Sequence, residues 1–263
     1  DARSQARYDE NSVNRNAVQN TTVLASHDLI NASIDDTYYN ATTKTFYAVA
    51  VIPRRETSQI LLRMITENNT AIESYVLSAE YESDLLYKFS LLDMAAIIAE
   101  KNDVFINQYG VLNQTGLAST LSPYNVRQLK AQALSVARSM SFSVVTSEQS
   151  ILQSRIEESV ATLGMRINRT NPTYIFTVSS IYTGTDSGYG MFIINYVTNI
   201  ELSDNEGNIL SVFTYSGREG GRTEEDAMRI LQNKLAESIA HDNPEKGNTS
   251  LVTQFSLFLD TLI

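Results

Sequence analysis

The sequence predicts an α+β protein of two domains, each a small, mainly antiparallel sheet covered by helices, the first with a long helical hairpin. Three observations lead there. The run Thr45-Phe46-Tyr47-Ala48-Val49-Ala50-Val51-Ile52 is aromatic and β-branched and stops at Pro53, so it reads as a strand that ends where proline removes a backbone donor. From Glu56 to Phe105 apolar residues recur at helical spacing. In the second half, three strand-like runs separated by turn residues lie between helical patterns, which is the order of an α+β domain rather than of a parallel α/β one. A chain of 263 residues is long for one domain and ordinary for two. The expected division is 1–115 and 116–263, at the small and polar cluster that begins Asn113-Gln114-Thr115-Gly116.

Residues 1 to about 20 are polar and read as an edge strand or an ordered arm. Ile34–Tyr39 and Thr45–Ile52 make a hairpin across Asn40-Ala41-Thr42-Thr43-Lys44, where Asn and Thr bond locally to the backbone. The second of these strands is apolar on both faces at Ala48-Val49-Ala50-Val51, so it is expected to be buried, with cover on both sides or a helix packed on one. Ile60, Leu61, Met64, Ile65, Ile72, Tyr75 and Val76 form one helical stripe, and Leu85, Leu86, Phe89, Leu92, Ala96, Ile97 and Phe105 another. A break near 79–83 gives a helical hairpin; one continuous helix is the alternative.

Ser122-Pro123 suggests an N-cap with proline at the first helical position, opening a helix that carries Val126, Leu129, Ala133, Val136, Ala137 and Met140. Phe142–Thr146 is a short strand, and a helix from Ser147 or Glu148 ends at Gly164. Tyr174–Tyr182, Met191–Leu202 and Ile209–Tyr215 are strands. The first is closed by the loop 183–188, and the second and third are joined by Ser203-Asp204-Asn205-Glu206-Gly207-Asn208. The glycine-rich stretch Ser216–Arg222 leads into a helix with a capping-box signature, Thr223-x-x-Asp226, that runs to about His241. Leu251–Ile263 is a helix or a strand.

Composition excludes several chemistries. The formal net charge of −10 argues against nucleic acid and against docking on an anionic membrane by charge. The absence of cysteine removes disulfides, thiol nucleophiles and cysteine-rich metal sites. The two histidines, His27 and His241, each precede an aspartate, and neighbours in sequence do not converge on one ion, so no metal or other cofactor is expected. No G-x-S-x-G elbow is present. The acidic groups Asp35/Asp36 and Glu224/Glu225/Asp226 are raw material for glycoside hydrolysis, but the first sits by a turn and the second in a first helical turn, where carboxylates are favoured electrostatically. No catalytic residue is therefore assigned. Backbone amides of the glycine-rich stretch with Arg218 and Arg222 could meet an anion or a partner, and so could Arg54 and Arg55 after the strand; each is also a solvated pair. Tyr38, Tyr39, Tyr47, Tyr182, Tyr189 and Tyr215 belong either to packing or to a contact surface for protein or glycan.

Thr45–Arg55, preceded by Asn40–Lys44 and followed by the helices of 56–107, resembles the Lpp-twenty family of small bacterial membrane-associated lipoproteins, over roughly residues 8–108. Pro53 stands where that family commonly has an acidic residue, and its helix-rich start is missing or precedes residue 1. The amino-terminal domain of flagellar T-ring proteins is similar. Thr173-Tyr174-Ile175-Phe176, the hairpin Glu201–Gly207 and Ser216-Gly217-Arg218-Glu219-Gly220 before a helix resemble the α/β unit of the TolB amino-terminal domain and of curli-secretion lipoproteins, over about 122–242. These resemblances imply a bacterial envelope protein, periplasmic or anchored to the outer membrane by a lipidated cysteine upstream of residue 1. Its role would be binding or assembly with an envelope protein or glycan, without catalysis. The alternative is a cell-wall or surface-glycan hydrolase using a carboxylate pair.

Overall fold

The computed structural model of the chain describes residues 30–113, 121–146, 150–186 and 190–263. Within these the α+β class is as expected: six helices and two sheets. The readings of the amino-terminal arm, of His27 and of Tyr189 lie outside the described residues. The chain divides into two compact units. One comprises the described residues up to Ala71 together with Ile98–Tyr124; the other comprises Ile72–Ile97 and Asn125–Ile263.

In the first unit, β1 (Ser33–Asn40) pairs antiparallel with β2 (Thr45–Val51). The turn forms as its side chains dictate: the Asn40 carboxamide oxygen accepts from the backbone N–H groups of Thr42 and Thr43, at 3.0 and 3.2 Å. Tyr38 stacks across the ladder on Tyr47, and Tyr39 packs with its ring tilted against Phe46. The expected burial of β2 is not found. Tyr47 is 52% exposed and Val49 55%, because among the described residues the sheet has two strands and no third element covers it.

The helical hairpin is present as α1 (Arg54–Tyr81) and α2 (Leu85–Asn113), with the break at 82–84, where Asp84 caps α2 by accepting from the Tyr87 N–H at 2.8 Å. Helix α1 starts two residues before Glu56, so Arg54 and Arg55 form its exposed first turn. In the first unit the two helices are locked by polar side chains as well as by Leu61 and Ile65. Asn102, 1% exposed, accepts from the Asn68 amide and donates to Asn69 Oδ1 at 3.0 Å. Asn69 in turn donates to the Leu121 carbonyl and accepts from the Ser122 hydroxyl, each at 2.8 Å. Replacing Asn102 with alanine takes the acceptor from the partly buried Asn68 amide and one of two donors from Asn69 Oδ1, and is expected to cost about 1–3 kcal/mol, read as a lowered urea midpoint. Ser122 is thus a member of this network rather than an N-cap. Helix α3 (Val126–Ser139) begins three residues later than the Ser122-Pro123 signature suggests, capped by Asn125, whose side chain accepts from the Gln128 N–H.

The second unit holds a five-stranded sheet in the order β4-β3-β5-β6-β7: β3 (Ser141–Thr146), β4 (Arg166–Ile167), β5 (Tyr174–Asp186), β6 (Phe192–Asp204) and β7 (Ile209–Gly221). Strand β3 is parallel to β4 and β5, and β5-β6-β7 is an antiparallel meander. The sheet is therefore mixed, and β4 is an addition to the expected strands. The three meander strands are also longer than their apolar runs. Thr183–Asp186, read from sequence as loop, pairs with Phe192–Asn195, and Ser216–Gly221 continues β7. The Asp204–Asn208 turn matches expectation, with the Asp204 carboxylate accepting from the N–H groups of Glu206 and Asn208 at 2.9 and 2.8 Å.

Inward residues alternate along each strand: Tyr174, Phe176, Val178; Ile194, Tyr196, Thr198, Ile200, Leu202; Phe213, Tyr215. They meet helices on one face only, α4 (Ser150–Thr162), α5 (Glu224–Ala240) and α6 (Leu251–Asp260), while Val145, Ile181, Val197 and Val212 are exposed on the other. Leu251–Asp260 is thus a helix, capped by Ser250. The same core takes Ala79, Leu86, Phe89, Leu91 and Leu92 from the helical hairpin. There the Leu86 N–H donates to the Tyr174 hydroxyl at 3.3 Å, and burial, reinforced by the charge of Asp84, pushes that phenol up to about 12.

Candidate functional site

Strand β7 is the last in the sheet order, so among the described residues one of its edges has no strand beside it. Beyond Gly221 the chain turns at once into α5. Thr223 accepts from the Asp226 N–H at 3.1 Å, and the Asp226 carboxylate accepts from the Arg222 N–H, which forms the expected cap. Helix α5 then runs back along the inner face and ends at His241. The loop 242–249 and helix α6 close the far side. Between this wall and the β7 edge lies a cleft of about 950 Å³, within the usual size of ligand sites. Its floor and rim include Tyr196, Thr214, Tyr215, Ser216, Gly217 and Glu219; its wall includes Lys234, Glu237, Ser238, His241, Asn248 and Gln254.

Two tyrosines sit under the strand. Gly217 leaves the space above Tyr196: a Cβ at that glycine would lie 2.7 Å from the Tyr196 hydroxyl oxygen. Tyr215 is 4% exposed and its hydroxyl is buried without a hydrogen-bond partner among the described residues. Burial, then the charge of Asp242, pushes its pKa up, so the O–H remains a donor at every physiological pH. Burial and Glu219 raise Tyr196 in the same direction.

Most other polar side chains of the cleft are engaged. The Asn248 amide donates to the carbonyls of Ser238 and His241, both at 3.0 Å, and Gln254 donates to the Thr249 carbonyl at 2.8 Å. Thr214 donates to Asn199 Oδ1, Lys234 is paired with Glu219, and Arg155 with Glu158. Asp242 holds the start of α6, accepting from the Ser250 N–H at 2.7 Å and from the Thr253 hydroxyl at 2.9 Å. These bonds hold its carboxyl below the usual range, as similar bonds do for Asp204 and Asp226. A carboxyl depressed in the folded state stabilises it fully above the unfolded pKa and loses that contribution as pH falls through the folded value. Thermal midpoints are accordingly expected to fall below about pH 4, with a shallower fall and a lower starting point in Asp242→Asn, measured by circular dichroism.

No protein-family model matches the chain. No curated protein matches it either. Among solved structures, a 2.35 Å crystal structure of a minor lipoprotein from Acinetobacter baumannii is similar over 38% of this chain and 87% of that one, at 13% identity and a TM-score of 0.31. A superposition of that quality does not establish a shared fold, and the properties of a lipoprotein do not pass across it.

The sequence singled out Tyr215 but not the cleft around it. Arg218 and Arg222 are exposed, on and just past β7, and neither lines the cleft; Arg54 and Arg55 are exposed in the first unit. The glycine-rich stretch is not an anion-binding loop but strand, and its glycines at 217, 220 and 221 have no positive φ. Among the described residues no three His, Asp or Glu side chains are placed to hold a metal ion. His241 caps α5 as the sequence suggests, its N–H bonded to the Glu237 carbonyl. Among the described residues no helix is long and apolar enough to cross a membrane.

Proposed function

We propose that this chain is the folded part of a bacterial cell-envelope lipoprotein that works as a non-catalytic binding or assembly module, with the cleft beside β7 as its contact surface. The observation that carries the binding role is the coincidence, among the described residues, of an unpaired sheet edge with a buried Tyr215 hydroxyl that has no partner, since buried polar groups are ordinarily satisfied. Two of the cleft carboxylates are already engaged within the protein, Glu219 with Lys234 and Asp242 with α6, which supports a binding rather than an acid–base role for them. Arg218 on β7 and Arg222 just past it, both exposed outside the cleft, are further contacts for a partner. The envelope address and the lipid anchor rest on the resemblance of Thr45–Arg55 and its neighbours to Lpp-twenty proteins. The test is the full-length gene product in its own bacterium, fed an alkyne fatty acid and carrying a photo-crosslinking residue at Glu237. Lipid labelling, an envelope fraction and an adduct formed from Glu237 but not from Glu206 are expected. An unlabelled cytoplasmic protein, or equal crosslinking from both positions, would overturn the proposal.

A further inference from the structure

The cleft offers two kinds of hydrogen-bonding capacity, and they differ in how much is left open. The Asn248 and Gln254 amides, Thr214 and Lys234 are engaged within the protein, as described above. The backbone of β7 is different. In an antiparallel strand alternate residues turn both N–H and C=O to the same side, so an edge strand presents a row of paired donors and acceptors. Along Thr214–Glu219 that row faces the cleft, and no backbone hydrogen bond from another described residue reaches it. The ligand that matches such a row is another extended backbone.

Charge narrows the ligand further. The pairs Lys234 with Glu219 and Arg155 with Glu158 cancel, which leaves the exposed carboxylate of Glu237 and the charge of Asp242 on the wall. The whole chain carries −10. Basic side chains on the incoming segment complement both.

We propose that the cleft takes an extended, lysine- or arginine-bearing polypeptide segment as a sixth strand beside β7, with a basic side chain against Glu237. This rests on the cleft being the contact surface, and it names what that surface holds. Where the segment runs, alternate side chains point toward α5 and away from it, so specificity would be read at every second residue.

The probe is a random dodecapeptide library displayed on phage, selected on the intact chain. Enriched sequences are then synthesised, with and without N-methyl groups on alternate backbone nitrogens. The expected result is enrichment of lysine and arginine, slower amide exchange at Thr214–Glu219 on binding, and a loss of affinity of about tenfold or more on N-methylation and with Glu237→Lys. N-methylation leaves the protein untouched, so a folding defect cannot imitate that result. No enriched peptide, enriched acidic peptides, or binding insensitive to N-methylation would overturn the inference. So would a sedimentation experiment in which the chain pairs with a second copy of itself through Thr214–Glu219. In the first three cases, the Glu237 crosslink to an envelope component separates the outcomes: if it still forms, the binding role stands and only the strand-like ligand is wrong.

Discussion

Replacing Phe255 with alanine is expected to destabilise the second unit by about 3–5 kcal/mol, enough to unfold it at moderate temperature. Phe255 is 2% exposed, at the middle of α6, and its ring is ringed by others: Phe258 at 5.9 Å between centroids, Phe176 at 6.1 Å, and Phe142 and Phe213 each at 6.3 Å. The pairs with Phe142, Phe176 and Phe213 are edge-on, the arrangement that favours the ring quadrupoles. Truncation removes the largest apolar contact of α6 and leaves a cavity walled by stiff side chains from three strands, which cannot collapse to fill it. Phe255→Leu keeps much of the volume and is expected to cost under about 1.5 kcal/mol. Urea unfolding followed by near-ultraviolet circular dichroism distinguishes the two. Equal effects from both variants would mean that loss of the ring contacts, not loss of volume, sets the cost.

Replacing Gly221 with alanine is expected to cost at least as much as other overpacking changes, about 1–3 kcal/mol, and more if α5 cannot shift. The cause is not backbone conformation, since Gly221 has an ordinary strand φ. It is contact with backbone. A Cβ there would lie 2.3 Å from the Ala227 amide nitrogen and 2.7 Å from its Cα. These atoms belong to the first turn of α5, fixed by the Thr223 and Asp226 caps, so they cannot rotate away as a side chain would. Gly207→Ala offers the contrast. Its Cβ meets nothing within 4 Å, and the cost there comes from its φ of +89° alone. A Gly221→Ala protein with unchanged thermal midpoint would show that the helix start is looser than its hydrogen bonds indicate.

The glycines also explain where the sequence misled. Gly217, Gly220 and Gly221 within six residues read as a loop, because glycine is the residue of turns. Here they let a strand pass close over Tyr196 and against the start of α5, a reason that becomes visible only once β6 and α5 are in place. Periodicity was a sound guide where burial is one-sided: the helical hairpin, the meander and the amphipathic α3 all follow from it. It failed at β2, whose apolar run demands cover that its two-stranded sheet does not provide. Local capping chemistry was legible at Thr223 and Gly164, and illegible at Ser122, whose hydroxyl is drawn into the asparagine network by residues fifty or more positions away. Of the cleft, Tyr215, His241 and the glycine-rich stretch could be picked out one by one, but not as parts of one site. That β7 lies at the edge follows from strand order, and the unpartnered hydroxyl follows from which helix covers it; neither leaves a mark on the local sequence.

Residues 72–97 supply Ala79, Leu86, Phe89, Leu91 and Leu92 to a core whose remaining walls are all encoded after residue 125. During synthesis this apolar stretch emerges well before the last helix that encloses the core, by on the order of ten seconds at ordinary ribosomal rates. The nascent chain must therefore carry an apolar helical hairpin in waiting, and closure of the second unit depends on contacts between residues far apart in sequence. Such closure is slow and exposes the chain to misassembly. A deletion that removes the hairpin while keeping the sheet would free the carboxy-terminal half from that delay and at the same time take away part of its interior.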